Sequence, residues 1–221
     1  MFHLAYNIMK YPAIKDLIFT VVILLFVLAV KTPYLSMILA AIVVIIYASI
    51  NEKRFISAGF KRPVSWLTSF IQSLFLATVI GLIVIYFIQP AIDYITQSPA
   101  DLTIFNPLVG NPQLLLHYIM ISWIVGGVSE ELVFRGFLLN RIINYIPGNS
   151  GIVLAILLTS SLFGFLHNYQ GISGQLTTGI VGAMLAAIYF LSGKRLVLTI
   201  LTHGMINTIS FLIIFFDLHP N

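Results

Sequence analysis

Seven apolar runs dominate the chain, at 17–30, 34–50, 66–88, 113–139, 150–167, 173–192 and 196–216. A helical crossing of the lipid hydrocarbon takes about 20 residues. The first two runs are therefore short for a straight span, and the fourth is long. The pattern predicts an all-α, polytopic transmembrane bundle of about seven spans, or six to eight if one segment is broken or re-entrant. No soluble domain, repeat or low-complexity tract interrupts it. Within one membrane domain, two parts are expected: N-terminal helices and loops over 1–112, and a helical core over 113–216.

Composition makes the membrane reading firmer. The chain is 59% hydrophobic and 8% charged, with a mean hydropathy of +1.03. A soluble domain carries about 25% charged residues, so lipid, not water, must cover this surface. The first run meets Lys31-Thr32-Pro33 in place of a small-residue cleavage site, and a retained span is expected over a cleaved signal peptide. Cysteine is absent. That excludes disulfides, thiolate metal sites and a cysteine nucleophile.

The net charge of +4 arises from eleven Lys/Arg against seven Asp/Glu. The basic residues lie in short connections between apolar runs, where they orient helices. No nucleic-acid partner is expected. Lys10 and Lys15 precede the first run, Lys53, Arg54, Lys61 and Arg62 follow the second, Arg141 follows the fourth, and Lys194 and Arg195 follow the sixth. The long connection 89–112 carries Asp93 and Asp101 and no basic residue. The positive-inside rule then predicts seven spans with a cytoplasmic N-terminus and an external C-terminus. The compact look of the chain suggests a bacterial cytoplasmic membrane.

Three polar motifs interrupt the C-terminal runs. The fourth contains Ser129-Glu130-Glu131-Leu132-Val133-Phe134-Arg135-Gly136. Each of its three ionisable groups costs roughly 2.5–3.5 kcal/mol near the bilayer centre, against about 0.5 returned by a leucine. Glu131 and Arg135 are four apart and share a helix face, so they can pair. Glu130 is turned about 100° away on an α-helix and is left as the reactive carboxylate. The bland alternative is a charged helix end anchored at the interface. The fifth run ends Phe163-Gly164-Phe165-Leu166-His167, with Phe163 one turn back on the histidine's face as packing. The seventh contains His203-Gly204-Met205-Ile206-Asn207, where His203 and Asn207 share a face and Gly204 permits close approach. Alone, that pair reads as interhelical glue. Together, a carboxylate, two imidazoles and a carboxamide on three helices could converge on one cavity. His3, His117 and His219 are set aside as terminal or interfacial.

These residues resemble the CAAX-processing and bacteriocin-processing (Abi) family, whose signature is Glu-Glu-x-x-x-Arg, Phe-x-x-x-His and His-x-x-x-Asn or Asp. Here those are Glu130-Glu131 with Arg135, Phe163 with His167, and His203 with Asn207, in order and across 113–211. The resemblance implies an intramembrane endopeptidase acting on membrane-associated peptide or protein substrates, CAAX tails or bacteriocin precursors among them. It further implies that Glu130 acts as general base on a water held with His167, and that His203 and Asn207 stabilise the oxyanion. The alternative implied is a Zn²⁺ site of His167, His203 and Glu130. A non-catalytic immunity or interaction protein, and a transporter or proton relay, remain as other classes.

One geometric difficulty is visible. Counting inward from the basic connections at 1.5 Å per residue, Glu130 lies about 16 Å deep and His203 about 12 Å, but His167 about 25 Å. Straight helices would not bring His167 level with the others. A tilted or late-starting fifth span would, as would a dip of the next segment at Gly171 and Gly174.

Overall fold

The computed structural model describes residues 2–29, 32–50, 63 and 65–218, with side chains from Asp16 onward and Pro33 excepted. These residues form seven helices: α1 (Phe2–Ala29), α2 (Pro33–Ile50), α3 (Trp66–Thr96), α4 (Pro112–Tyr145), α5 (Asn149–Phe165), α6 (Gly171–Leu191) and α7 (Leu196–Phe215). Short 3₁₀ turns lie at Thr103–Leu108 and Asn168–Gln170. No strand occurs among the described residues. Four helices are long and apolar enough to cross a membrane: α3, α4, α7, and α6 together with the 3₁₀ turn before it. The described apolar parts of α1, α2 and α5 are shorter. Lys53, Arg54, Lys61 and Arg62, and the side chains of Lys10 and Lys15, on which the expected orientation rests, lie outside the described residues, as do those of His3 and His219.

Local chemistry sets the helix ends. Ser65 caps α3 by accepting from the Thr68 amide at 3.3 Å, and Asn111 caps α4 by accepting from Leu114 at 3.1 Å. Pro112 then occupies the first turn, where no amide hydrogen is needed. Gly171, at φ +71°, opens α6 in a conformation other residues rarely adopt.

Three boundaries differ from the sequence expectation, the first being that of α1, whose helix begins at Phe2 and not at residue 17. The third run continues through Pro90 to Thr96, so Asp93 lies on a helix and not in the connection. A π-turn over Val84–Ile88 widens α3 immediately before the proline. That relieves the clash its ring would make with the preceding turn. Asp93 there accepts from Gln89 at 2.7 Å and from Ser173, joining α3 to the start of α6. The fourth run likewise extends to Tyr145, which places Arg141 inside α4. Arg141 is buried, and pairs with Asp16 of α1 and with the Tyr47 hydroxyl of α2 at 3.0 Å. It is a staple between helices, not a free charge in a connection.

The helices pair as α1 with α2, α3 with α7, and α5 with α6, around a central α4. The closest approach is at Gly164, where a Cβ would lie 2.4 Å from the Gln175 carbonyl oxygen. Small residues admit such backbone contact, which drives association in lipid. The polarity is inverted relative to a soluble protein. Large apolar side chains such as Phe75, Phe87 and Leu191 are exposed, whereas Glu131, Arg135 and His203 are buried.

Candidate active site

The site is built on a stretch of α4 that is not α-helical. Trp123–Glu130 and Leu132–Leu138 are π-helical, with hydrogen bonds spanning five residues. Two side chains support the wider turns: Ser129 Oγ donates to the Ile124 carbonyl at 2.9 Å, and Asn140 Nδ2 donates to that of Arg135 at 2.8 Å. The α-helical register expected for the Glu-Glu motif is corrected accordingly. π-turns inside α-helices are uncommon and concentrate at functional sites.

The expected Glu131–Arg135 pair is present. Arg135 Nη1 donates to Glu131 Oε1 at 2.7 Å, and Nη2 donates to the Gly182 carbonyl of α6 at 2.6 Å. Both side chains are fully buried, and the guanidinium lies 5.0 Å from the Phe163 ring centroid. The same Glu131 oxygen accepts from His203 Nδ1 at 2.9 Å. The other face of that imidazole meets the second carboxylate, with Nε2 3.8 Å from Glu130 Oε2. The two glutamates thus flank one histidine. Glu131 is sealed behind it at 0% exposure, while Glu130 is 14% exposed.

His167 lies just beyond the end of α5. Its Nδ1 donates to the Phe163 carbonyl at 2.8 Å. A carbonyl can only accept, so Nδ1 carries a proton and Nε2 is left outside that bond. The Phe163 ring lies between the imidazoles, with centroids 5.0 Å from His167 and 5.8 Å from His203. Because α4 runs on past Arg141 to Tyr145, Glu130 lies deeper than a count from the arginine gives, nearer the level of His167 beyond the 17-residue α5. The Gly171 turn then sends the chain straight back along α6.

Glu130, His167, His203 and Asn207 all line one cavity of about 290 Å³. It continues past Ile80 and Gly81 of α3 to Tyr118 and Phe105, beneath the connection between α3 and α4. Phe105 closes that end against Tyr118, Phe211 and Tyr169, with centroids 5.7, 5.6 and 6.5 Å away. The covering connection is tied down by the Asp101 amide, which donates to Gln170 O at 2.9 Å. The Thr103 hydroxyl and amide hold the exposed Asp101 carboxyl below the usual carboxylate range.

Several site features were not singled out in sequence. A Cβ on Gly126 would lie 2.6 Å from Asn207 Nδ2, so this glycine makes room for the carboxamide. Gly127 meets α7 backbone to backbone, with Gly204 Cα 3.6 Å from where its Cβ would be. Gly204 itself lies under the Trp123 indole, whose Nε1 donates to Thr208 Oγ1 at 3.0 Å. The Gly126-Gly127 pair directly before the acidic motif was the available signal, since mid-helix glycine costs about 1 kcal/mol against alanine. Tyr118, Tyr169, Gln170 and Thr177 carried none.

The proposed zinc set does not fit. Among the described residues, no three His, Asp or Glu side chains converge closely enough to hold one ion.

Residues 112–209 match the family model described as type II CAAX prenyl endopeptidase Rce1-like. The segment 112–209 is Rce1-like. It runs from the first turn of α4 into α7 and contains every residue of the three motifs. No curated protein and no solved structure showed a match. Long apolar helices and an apolar exterior, together with the Rce1-like segment, point to an integral membrane protein.

Proposed function

We propose that the chain is an intramembrane endopeptidase that hydrolyses membrane-associated peptides or proteins with a water activated by Glu130. The observation that carries this reading is the split between the two carboxylates. Glu131 is enclosed by Arg135 and His203, whereas Glu130 fronts the cavity beside them.

In this reading Glu130 removes a proton from water, and the hydroxide attacks the scissile carbonyl carbon. His167 Nε2 holds the water, since Nδ1–H is already given to Phe163. Charge develops on the carbonyl oxygen. With Nδ1 directed to Glu131, His203 turns Nε2 toward the oxyanion and stabilises it together with Asn207 Nδ2. Glu130 then passes its proton to the leaving nitrogen as the C–N bond breaks, giving a carboxylic acid and an amine. Glu131 and Arg135 hold His203 in place and do not meet substrate. The surrounding apolar wall excludes bulk water and strengthens each of these electrostatic contacts.

The competing class is a binding or immunity protein that uses the same scaffold without chemistry. Terminal-peptide mapping of host membranes separates the two, comparing wild type with Glu130→Gln at equal abundance. New termini that depend on Glu130 are the expected result. Identical termini, with any protective phenotype retained by the variant, would favour binding and end the peptidase reading.

A further inference from the structure

We infer that Gly81 of α3 is a specificity-determining residue, whose missing side chain leaves room in the cavity wall for a bulky apolar side chain of the bound peptide. This rests on the peptidase reading above and adds a size filter to it.

Glycine is a poor residue for the middle of a helix, where alanine is better, so its presence there needs a reason. Close packing is the reason at most helical glycines of this protein. A Cβ would lie 2.6 Å from Asn207 Nδ2 at Gly126, 2.4 Å from the Gln175 carbonyl oxygen at Gly164, 3.1 Å from the Phe163 ring at Gly182 and 2.7 Å from the Trp123 indole at Gly204. Gly110, Gly148, Gly171 and Gly193 instead take a positive φ. Gly81 has neither reason. It lies inside α3 with helical backbone, and beyond its own turn of helix a Cβ there would meet nothing within 4 Å.

That open position borders the site. Ala77, Ile80, Gly81, Val84 and Ile85 all line the cavity that holds Glu130. Their spacing of three and four places them on one face of α3. The stripe carries no polar side chain, whereas the polar groups of the site come from α4, α7 and the residue just past α5. The cavity therefore has a polar wall and an apolar wall, and Gly81 is a recess in the second. A peptide whose scissile bond meets Glu130 presents a neighbouring side chain to the aliphatic stripe, and dispersion contact there favours an apolar one. What stands at position 81 sets how large that side chain can be. Gly81 also lies outside the matched segment 112–209, so the size filter is supplied by a helix which that segment does not include.

The test compares Gly81→Ala, Gly81→Leu and a control, Leu82→Phe, with wild type in detergent. Leu82 is 50% exposed and stands outside the cavity wall. The probes are quenched fluorogenic peptides copied from a cleavage site found by the terminal mapping, with each residue flanking the bond changed in turn to Ala or Phe. Gly81→Ala should melt no lower than wild type, because helix propensity rises and no contact is displaced. At one flanking position, Gly81→Leu should lower the ratio of kcat/KM for the Phe peptide over the Ala peptide by about tenfold or more, the scale on which pockets sort side chains by size. Gly81→Ala should move the same ratio in the same direction by a smaller factor, and Leu82→Phe should leave it unchanged. Ratios at the wild-type value in both Gly81 variants would overturn the inference. So would equal loss on every peptide, which would assign Gly81 to the bending of α3 before its π-turn. A lower melting point for Gly81→Ala would show that the space is not open, and would overturn it too. Should Gly81→Leu fail to fold, the ratio for Gly81→Ala decides alone. If the mapping yields no Glu130-dependent site, the peptidase reading fails and the filter falls with it. A site cleaved with unshifted ratios sinks only Gly81.

Discussion

Helix α4 carries two buried ion pairs, and they differ in what lies beside them. At one end Arg141 meets Asp16 and Tyr47, with its guanidinium 5.3 Å from the Tyr47 ring centroid and 5.5 Å from that of Phe137. Acid, base and aromatic rings there join three helices, and none of them lines the cavity that holds Glu130. Further up, Arg135 meets Glu131, which also holds His203. That cluster is more deeply buried, but the next residue along, Glu130, opens onto the cavity. Pairing alone does not mark chemistry, since any charge inside a membrane must be paired. The carboxylate left over, set against a cavity and a held imidazole, is what distinguishes the second cluster.

Four substitutions would break or sharpen this contrast. The largest combined effect is expected from Glu131→Gln, which strands Arg135 and releases His203. Stability in detergent should fall by roughly 3–5 kcal/mol, the range for breaking a buried pair, and turnover of the surviving folded protein should also drop. Arg141→Met should cost about 2–4 kcal/mol by chemical denaturation, yet leave turnover per folded molecule unchanged. Loss of turnover there would erase the distinction between the clusters. The double variant Asp16→Leu with Arg141→Met should recover to within about 1 kcal/mol of wild type, as apolar replacements of buried pairs often do. The smallest stability effect is expected from Gly126→Ala. The Asn207 carboxamide can swing aside from the new Cβ, so the melting point should hold or rise slightly. Turnover should fall about tenfold if that carboxamide meets the oxyanion.

Much of this was legible in the chain. The helices follow the apolar runs because lipid demands continuous apolar helix, and the Glu131–Arg135 pair follows from their spacing. Other features depend on events the sequence does not display. The Arg141–Asp16 bond joins residues that read as connection and terminus, and only the packing of α1 against α4 brings them together. The π-turns change the register of the motif through side-chain bonds from Ser129 and Asn140. The apparent mismatch in depth came from counting Glu130 inward from Arg141, whereas α4 runs on to Tyr145. Gly81 reads as an ordinary helical glycine until the open space beside it is seen.

The most direct test of the central claim is the cleavage rate of purified wild type and Glu130→Gln on one peptide carrying a mapped site, at matched melting points. The account predicts a loss of about a thousandfold or more, within the range for removing a general base, with the variant still folded and still binding the peptide. Cleavage by Glu130→Gln at the wild-type rate would contradict it, and would move the chemistry away from this carboxylate.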